Sequence, residues 1–420
     1  MYGAGGIPML AVGPIVETTE EKMTAVREKF SWTMKMLEMS LIYYGDRQPG
    51  CWNGFVHYLR VGLALLMIST SIYYNLYLGN LIVKNWGEES NVMEIVVFTW
   101  SIQVSSSMCF LLYWQYCGYM HEIFMTIHHP TSSKRYEEAR TVIHQVMTIS
   151  FVVFVVCILM LGAMSTVHYF HVDAGGMIKF EAYNMFVHPY GYPFSMMFIA
   201  YGLMVWNIVL TFYVVVSYVM YFELERFNGK LARLAIIDEN PEQAKIVDIG
   251  DELLKHFSTK IQLGKMVQTV NNAFEVYVFV MIGTNIPTTV FSLLSFMTAI
   301  QQGWLSVALV TPGICFSIAE LIGLTAVPAK LYDTILKVEG VLYSSPCIWY
   351  PYNERVYAIA NAFISHARQS NLGISLWGFA VVSKPLILTT ISLTVTYLTL
   401  MIELAPAIGH EGHQHGLIRH

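Results

Sequence analysis

Residues 383–404 read SKPLILTTISLTVTYLTLMIEL, and the architecture turns on them. At 1.5 Å per residue, about 20 helical residues reach roughly 30 Å, the depth of a bilayer's hydrocarbon core. The stretch is apolar enough to cross, but not evenly so. Thr389, Ser392, Thr396, Thr399 and Glu403 follow at steps of three, four, three and four. That spacing places all five on one face of a helix, with a carboxylate at its end. Such a stripe either lines a watery path or hydrogen-bonds into neighbouring helices. Periodicity alone leaves both readings open.

Composition extends the membrane reading to the whole chain. Of 420 residues, 55% are hydrophobic and 13% charged, about half the charged share of an average soluble domain. Several apolar runs of about 20 residues or more make this a polytopic, all-α membrane protein. The six cysteines form no CxxC pair and read as free thiols packed as small apolar groups. About 50 mixed residues precede the first apolar run, which is not the pattern of a cleavable signal.

Seven spanning segments are predicted, at 55–83, 92–118, 143–169, 191–222, 273–300, 304–328 and 383–404. Residues 17–44 read as an amphipathic helix ahead of the membrane, with Phe30, Met34, Leu37 and Leu41 at helical spacing. Between spans, 223–272 and 329–382 keep helical periods despite many charges. Pro385 starts the last helix. The expected organisation is therefore 1–54 N-terminal segment, 55–222 spans one to four, 223–272 helical extension, 273–328 spans five and six. It continues with 329–382 as further helices, 383–404 as span seven and 405–420 as a tail. Nineteen lysines and arginines fall on the side of the N-terminus and three on the other. The positive-inside rule makes the N-terminus cytoplasmic and the C-terminus extracellular. This is the reverse of a G-protein-coupled receptor, and no DRY-type or NPxxY-type motif occurs. The charged helices all fall on the cytoplasmic side, as a collar in which subunits can meet.

Thr396-Tyr397, then Leu398-Thr399-Leu400-Met401-Ile402, then Glu403-Leu404 resembles the TYhhhhhQF close of the seventh span in insect gustatory receptors and their invertebrate gustatory-receptor-like relatives. Gly373 and Gly378-Phe379 resemble the glycine-rich lead into that helix. Glu403 stands where that pattern has Gln, and Leu404 where it has Phe; the insect olfactory branch shares the same superfamily. The resemblance implies a homotetrameric, ligand-gated, non-selective cation channel in the cell membrane. Its seventh span would line the pore, its cytoplasmic helices would anchor the tetramer, and its ligand pocket would open outward among spans two, three, four and six.

On that resemblance Thr396, Thr399, Leu400, Glu403 and Leu404 are the expected pore and gate residues. Four Glu403 carboxylates would form an acidic ring that attracts cations, threonine hydroxyls would meet partly hydrated ions, and leucines would close the path by dewetting. The outward halves of the named spans offer Trp100, Gln103, Met164, His168, Tyr201, Trp304 and Thr311 as ligand-site candidates, with Tyr192 and Phe194 beside them. Aromatic walls with few polar groups suit a small organic ligand. Interfacial belts and core packing use the same residue types.

Glu320 lies deep in span six and needs a partner or a wet cavity; Arg60 and Lys384 are the candidates. Glu94 and Glu275 lie near span ends and can snorkel to water. His410, His413, His415 and His420 make an HxxHxH-containing tail, read as a polar tail in preference to a metal site. No catalytic constellation, cofactor motif or nucleic-acid motif occurs, so the expected partners are a small molecule, lipid, cations and further copies of the chain. Alternatives are a light- or peroxide-sensing member of the same family and a receptor without a pore.

Overall fold

The computed structural model describes residues 31–43, 51–85, 91–127, 133–169, 183–186, 189–236, 249–369 and 372–416. The longest helices are α6 (Tyr192–Ile236), α7 (Ile249–Gln302) and α8 (Trp304–Tyr343). At 1.5 Å per residue they measure about 67, 81 and 60 Å, against a hydrocarbon core of about 30 Å. Each therefore projects beyond the membrane, at the lysine- and arginine-rich end. They join α2 (Cys51–Lys84), α3 (Asn91–Tyr116), α5 (Ser133–Tyr169) and α11 (Lys384–Gly416) as seven helices long and apolar enough to span. This is an all-helical, multi-pass membrane protein. Short helices α1 (Ser31–Met39), α4 (Tyr119–Ile127), α9 (Pro346–Trp349) and α10 (Glu354–Gln369) complete the described elements of this class.

The core is where α3, α6, α7 and α8 pack together. Trp114 of α3 is fully buried, edge-on to Phe274 and Tyr277 of α7, and donates from Nε1 to the Ala273 carbonyl at 2.8 Å. A buried indole N–H needs such a partner. Pro328 lies inside α8 and cannot bond the Leu324 carbonyl four residues back. The buried Tyr213 of α6 donates its hydroxyl to that oxygen at 3.1 Å. A side chain thus restores what the proline removed. Tyr213→Phe leaves the carbonyl unmet, at an expected cost of about 1–2 kcal/mol, read as a lower Tm of the detergent-solubilised protein.

Residues 31–43 do not lie outside the bundle as an amphipathic helix would. α1 stops at Met39, Leu41 takes φ +57°, and the apolar period breaks there. Leu37 and Ile42 are fully buried, while Leu41 is exposed. Tyr201 of α6 donates to the Ser40 carbonyl at 2.7 Å, and Gln115 of α3 to that of Ile42 at 3.3 Å. The segment is wedged against α3 and α6. Phe30 lies outside the described residues.

Beyond the membrane, the inner ends of α6, α7 and α8 gather around α10 in a collar. Phe227, Phe257 and Phe363 meet ring to ring at its centre. Arg368 donates to Glu339 on its surface and holds that carboxyl below the usual range. Lys260 of α7 is fully buried there, about 20 Å along the helix from the start of the apolar run at 273. Its Nζ has no hydrogen-bond partner among the described residues, and burial pushes its pKa down to about 8.

Between α10 and α11 the chain makes a small hairpin. Val382 N–H donates to the Ile374 carbonyl at 2.8 Å and Leu376 N–H to that of Ala380 at 2.7 Å. Trp377 (φ +47°) and Gly378 (φ +75°) turn the chain at its tip, and glycine accepts that conformation without strain. α11 begins immediately after, at Lys384, with Pro385 in the first turn, where a missing N–H costs nothing. The helix runs on to Gly416, past the end near Leu404 that the apolar run gives. The backbone of His410, His413 and His415 is therefore helical rather than an open tail. Their side chains, and His420 entirely, lie outside the described residues.

Candidate functional site

α11 touches its own chain along one narrow line. Thr390 and Thr394 are buried, with Leu386 and Leu398 half-buried one turn to either side. Of its most apolar stretch, 6% is buried, against 78% for α6. Thr389, Ser392, Thr396, Thr399, Leu400 and Glu403 are all exposed. The side chain of Leu404 lies outside the described residues. Thr396 donates to the Ser392 carbonyl at 2.9 Å and Thr399 to that of Val395 at 3.0 Å. Each hydroxyl proton is thus committed to the helix, which leaves the oxygen lone pairs facing outward as acceptors. That face offers hydroxyl oxygens beside the apolar Leu400 and ends in the Glu403 carboxylate.

A second feature is a cleft of about 490 Å³, counting its open mouth, in the outer half of the bundle. Trp100 and Val104 of α3, Phe198 and Ile199 of α6, and Met160 of α5 form its apolar wall. Ser71 and Tyr74 of α2, Ser101 of α3 and Tyr183 complete the lining, whose exposed surface is almost wholly apolar. Its apolar lining suits the apolar part of a small organic molecule. Two glycines set its shape. A Cβ on Gly202 would come within 2.8 Å of Val104, and one on Gly313 of α8 within 2.9 Å of the Trp100 ring. Trp100 is therefore both cleft wall and wedge against α8.

One helical turn along α3, Gln103 reaches a buried polar cluster. Asn285 of α7 donates to Glu320 of α8 at 2.6 Å, and the Gln103 amide approaches the same carboxylate at 3.3 Å. Gln103, Asn285 and Glu320 are each at most 1% exposed. The expected partners of Glu320 are not the ones found. Arg60 is exposed, and Lys384 pairs with Asp333 at 2.6 Å. Amides from two other spans can solvate a carboxylate without bringing a second charge into the membrane, which an arginine or lysine would. Glu94 does not snorkel either: it is buried and accepts from Asn85 at 2.9 Å.

Of the ligand-site residues expected from sequence, Trp100 lines the cleft. Gln103 sits behind it on Glu320. Tyr201 turns away to Ser40, Trp304 is 81% exposed at the start of α8, and Thr311 bonds the Val307 carbonyl. The side chains of Met164 and His168 lie outside the described residues. Ser71, Tyr74, Ser101 and Tyr183 went unnoticed. The available signal was two i, i+4 polar pairs on neighbouring spans, Ser71 with Asn75 and Ser101 with Ser105, which meet at 2.6 Å through Ser71–Ser105 and Asn75–Ser105. Among the described residues no group of three or more His, Cys, Asp or Glu is placed to hold a metal.

No protein-family model and no curated protein sequence matches this chain. Solved structures do. The insect olfactory receptor OR5 from Machilis hrabei superimposes with a TM-score of 0.68 over 91% of this chain and 99% of its own, at 9% identity. The same receptor in complex with eugenol gives 0.61 over 90% and 99%, at 10% identity. The chain has the fold of an insect olfactory receptor. At such identity the likeness is one of fold, carried by helix order and packing and not by shared side chains. It places the chain's helix order and packing with those of that seven-span receptor. In those terms α11 is the seventh span, and the cleft lies between the first four.

Proposed function

We propose that this protein is the subunit of a gustatory-receptor-like, ligand-gated, non-selective cation channel, a homotetramer with α11 of each copy around a central pore. The observation that carries the reading is the bareness of α11. A spanning helix with a polar, acid-ended stripe and 6% burial in its own chain has that stripe to place against water or other copies. Lipid is the costly alternative for a carboxylate. Four such helices around an axis give each stripe an aqueous lumen. The Thr396-Tyr397-led close of α11 favours the gustatory branch, and the fold shared with an olfactory receptor that binds eugenol supports a small organic stimulus.

The test is whole-cell recording from cells that express this chain alone. They are exposed to a panel of small aromatic alcohols, ethers and esters that begins with eugenol. A stimulus-evoked cation current is expected, and a well-folded surface tetramer silent to every member and without basal conductance would overturn the reading. Ile199→Trp fills the apolar wall of the cleft. It is expected to raise the half-maximal concentration at least about tenfold, the loss of roughly 1.4 kcal/mol of binding. The unitary conductance should stay at the wild-type value.

A further inference from the structure

The hairpin that leads into α11 is bound to α7 by contacts that chain connectivity does not require. Ser375 N–H donates to Asn271 Oδ1 at 2.7 Å, and its hydroxyl to Glu275 Oε2 at 3.2 Å. Asn271 donates its own amide to that same Glu275 oxygen at 3.2 Å, so the two acceptors are held by one another. Trp377 N–H reaches the Glu275 main-chain carbonyl at 3.3 Å. Phe279, one turn further along α7, meets the rings of both Trp377 and Phe379, at 5.4 and 6.0 Å. On its other side the helix start is tied to α8 through Lys384 and Asp333. The root of α11 is thus fixed at two points, on two helices.

Those helices are the pair that Asn285 and Glu320 join deeper in the membrane. Asn285 lies 14 residues beyond Asn271 on α7, close to four helical turns, hence near the same face about 21 Å away. A shift of α7 against α8 must therefore move the hairpin or break its bonds. The rest of α11 is nearly free of its own chain, so little else fixes its tilt.

We propose that the hairpin 374–382 is a clasp that sets the position of α11, with Asn271, Glu275 and Ser375 as its positioning residues. The proposal rests on α11 being the pore helix, and the experiment separates the two. Thr399→Cys places a thiol on the stripe. Its rate of modification by a charged, membrane-impermeant methanethiosulfonate reagent is measured on the full-length protein in nanodiscs, above the background of the parent protein. Tyr352→Cys, exposed to water beyond the membrane, is the control.

In the Thr399→Cys background, Asn271→Leu removes the clasp acceptor at similar volume. It is expected to raise the labelling rate about threefold to tenfold, the equilibrium equivalent of about one net hydrogen bond. Ser375→Ala should raise it by a smaller factor, and Ser375→Thr, which keeps the hydroxyl, should restore the parent rate. The control site should label at the same rate throughout. Equal Thr399→Cys rates in all backgrounds would overturn the clasp while leaving the pore intact. If Thr399→Cys resists the charged reagent altogether, the stripe does not face water, and the pore reading falls with it. Ser375→Ala removes a hydroxyl that donates to Glu275 and accepts from the Gly378 N–H but spares the main-chain bond to Asn271, so it keeps the test decisive should Asn271→Leu fail to fold.

Discussion

Glu403→Lys is expected to cut cation conductance about tenfold or more and to move the reversal potential toward that of chloride. In a tetramer the change converts four carboxylates around one axis into four ammonium groups. At about 6 Å from a cation, one unit charge at an effective dielectric of 80 contributes roughly 0.7 kcal/mol. Inverting four such charges shifts the energy of an ion in the mouth by several kcal/mol before screening, and each 1.4 kcal/mol is a factor of ten. Salt weakens the effect, because exposed charges at the mouth are screened within about 8 Å at physiological ionic strength. The measured ratio of wild-type to mutant conductance should therefore shrink as bath salt rises. Glu403→Gln, which restores the residue of the gustatory pattern, should keep cation over anion selectivity and lower cation conductance by a smaller factor than Glu403→Lys. An unaltered current–voltage relation in a well-expressed Glu403→Lys tetramer would remove α11 from the pore.

The second large effect is expected in the collar. Lys260 is buried without an acceptor among the described residues, and its pKa is pushed down to about 8 by desolvation. In the unfolded chain the same lysine titrates near 10.5. Between these values the unfolded state holds a proton that the folded state does not, so folding stability rises with pH from about 8 to about 10.5. Below about 8 that stabilisation is absent, because folding then confines a charged ammonium. A separation of this size corresponds to about 3 kcal/mol at neutral pH. Lys260→Met keeps the length of the side chain and removes the charge. It is expected to raise the Tm of the solubilised protein by several degrees at pH 7, with the gain fading as pH approaches 10. A lower Tm at pH 7 would mean that the ammonium is stabilising where it stands.

Helical period and charge placement made the large elements legible in sequence. Seven apolar runs became seven helices, and the excess of lysine and arginine outside the membrane marks where α6, α7 and α8 run long. The stripe on α11 was readable because 3-4-3-4 spacing is a local property of one helix. What could not be read were pairings across helices. Glu320 was visible as a buried acid, but its amides come from positions 217 and 35 residues away in the chain, and spacing carries no record of such neighbours. Lys260 lies in a charged stretch, and its burial comes from packing that local spacing does not record. Tyr213 had no mark at all, because its task is set by a proline in another helix. The hairpin was read as glycine-rich lead, which is true of its backbone and silent about Asn271 and Glu275.

The length of α7 has a mechanical consequence. Its inner turns are gripped in the collar near Gly264, which lies against Leu372. From that point Glu275 is about 16 Å along the rod and Asn285 about 32 Å. Motion started at the outer cluster would arrive at the hairpin at about half its amplitude and, for the same work, about twice the force. A 54-residue helix that pivoted on its collar end would work as a reduction gear. It would let a stimulus that shifts a few side chains by an ångström turn a helix that its own chain holds by very little.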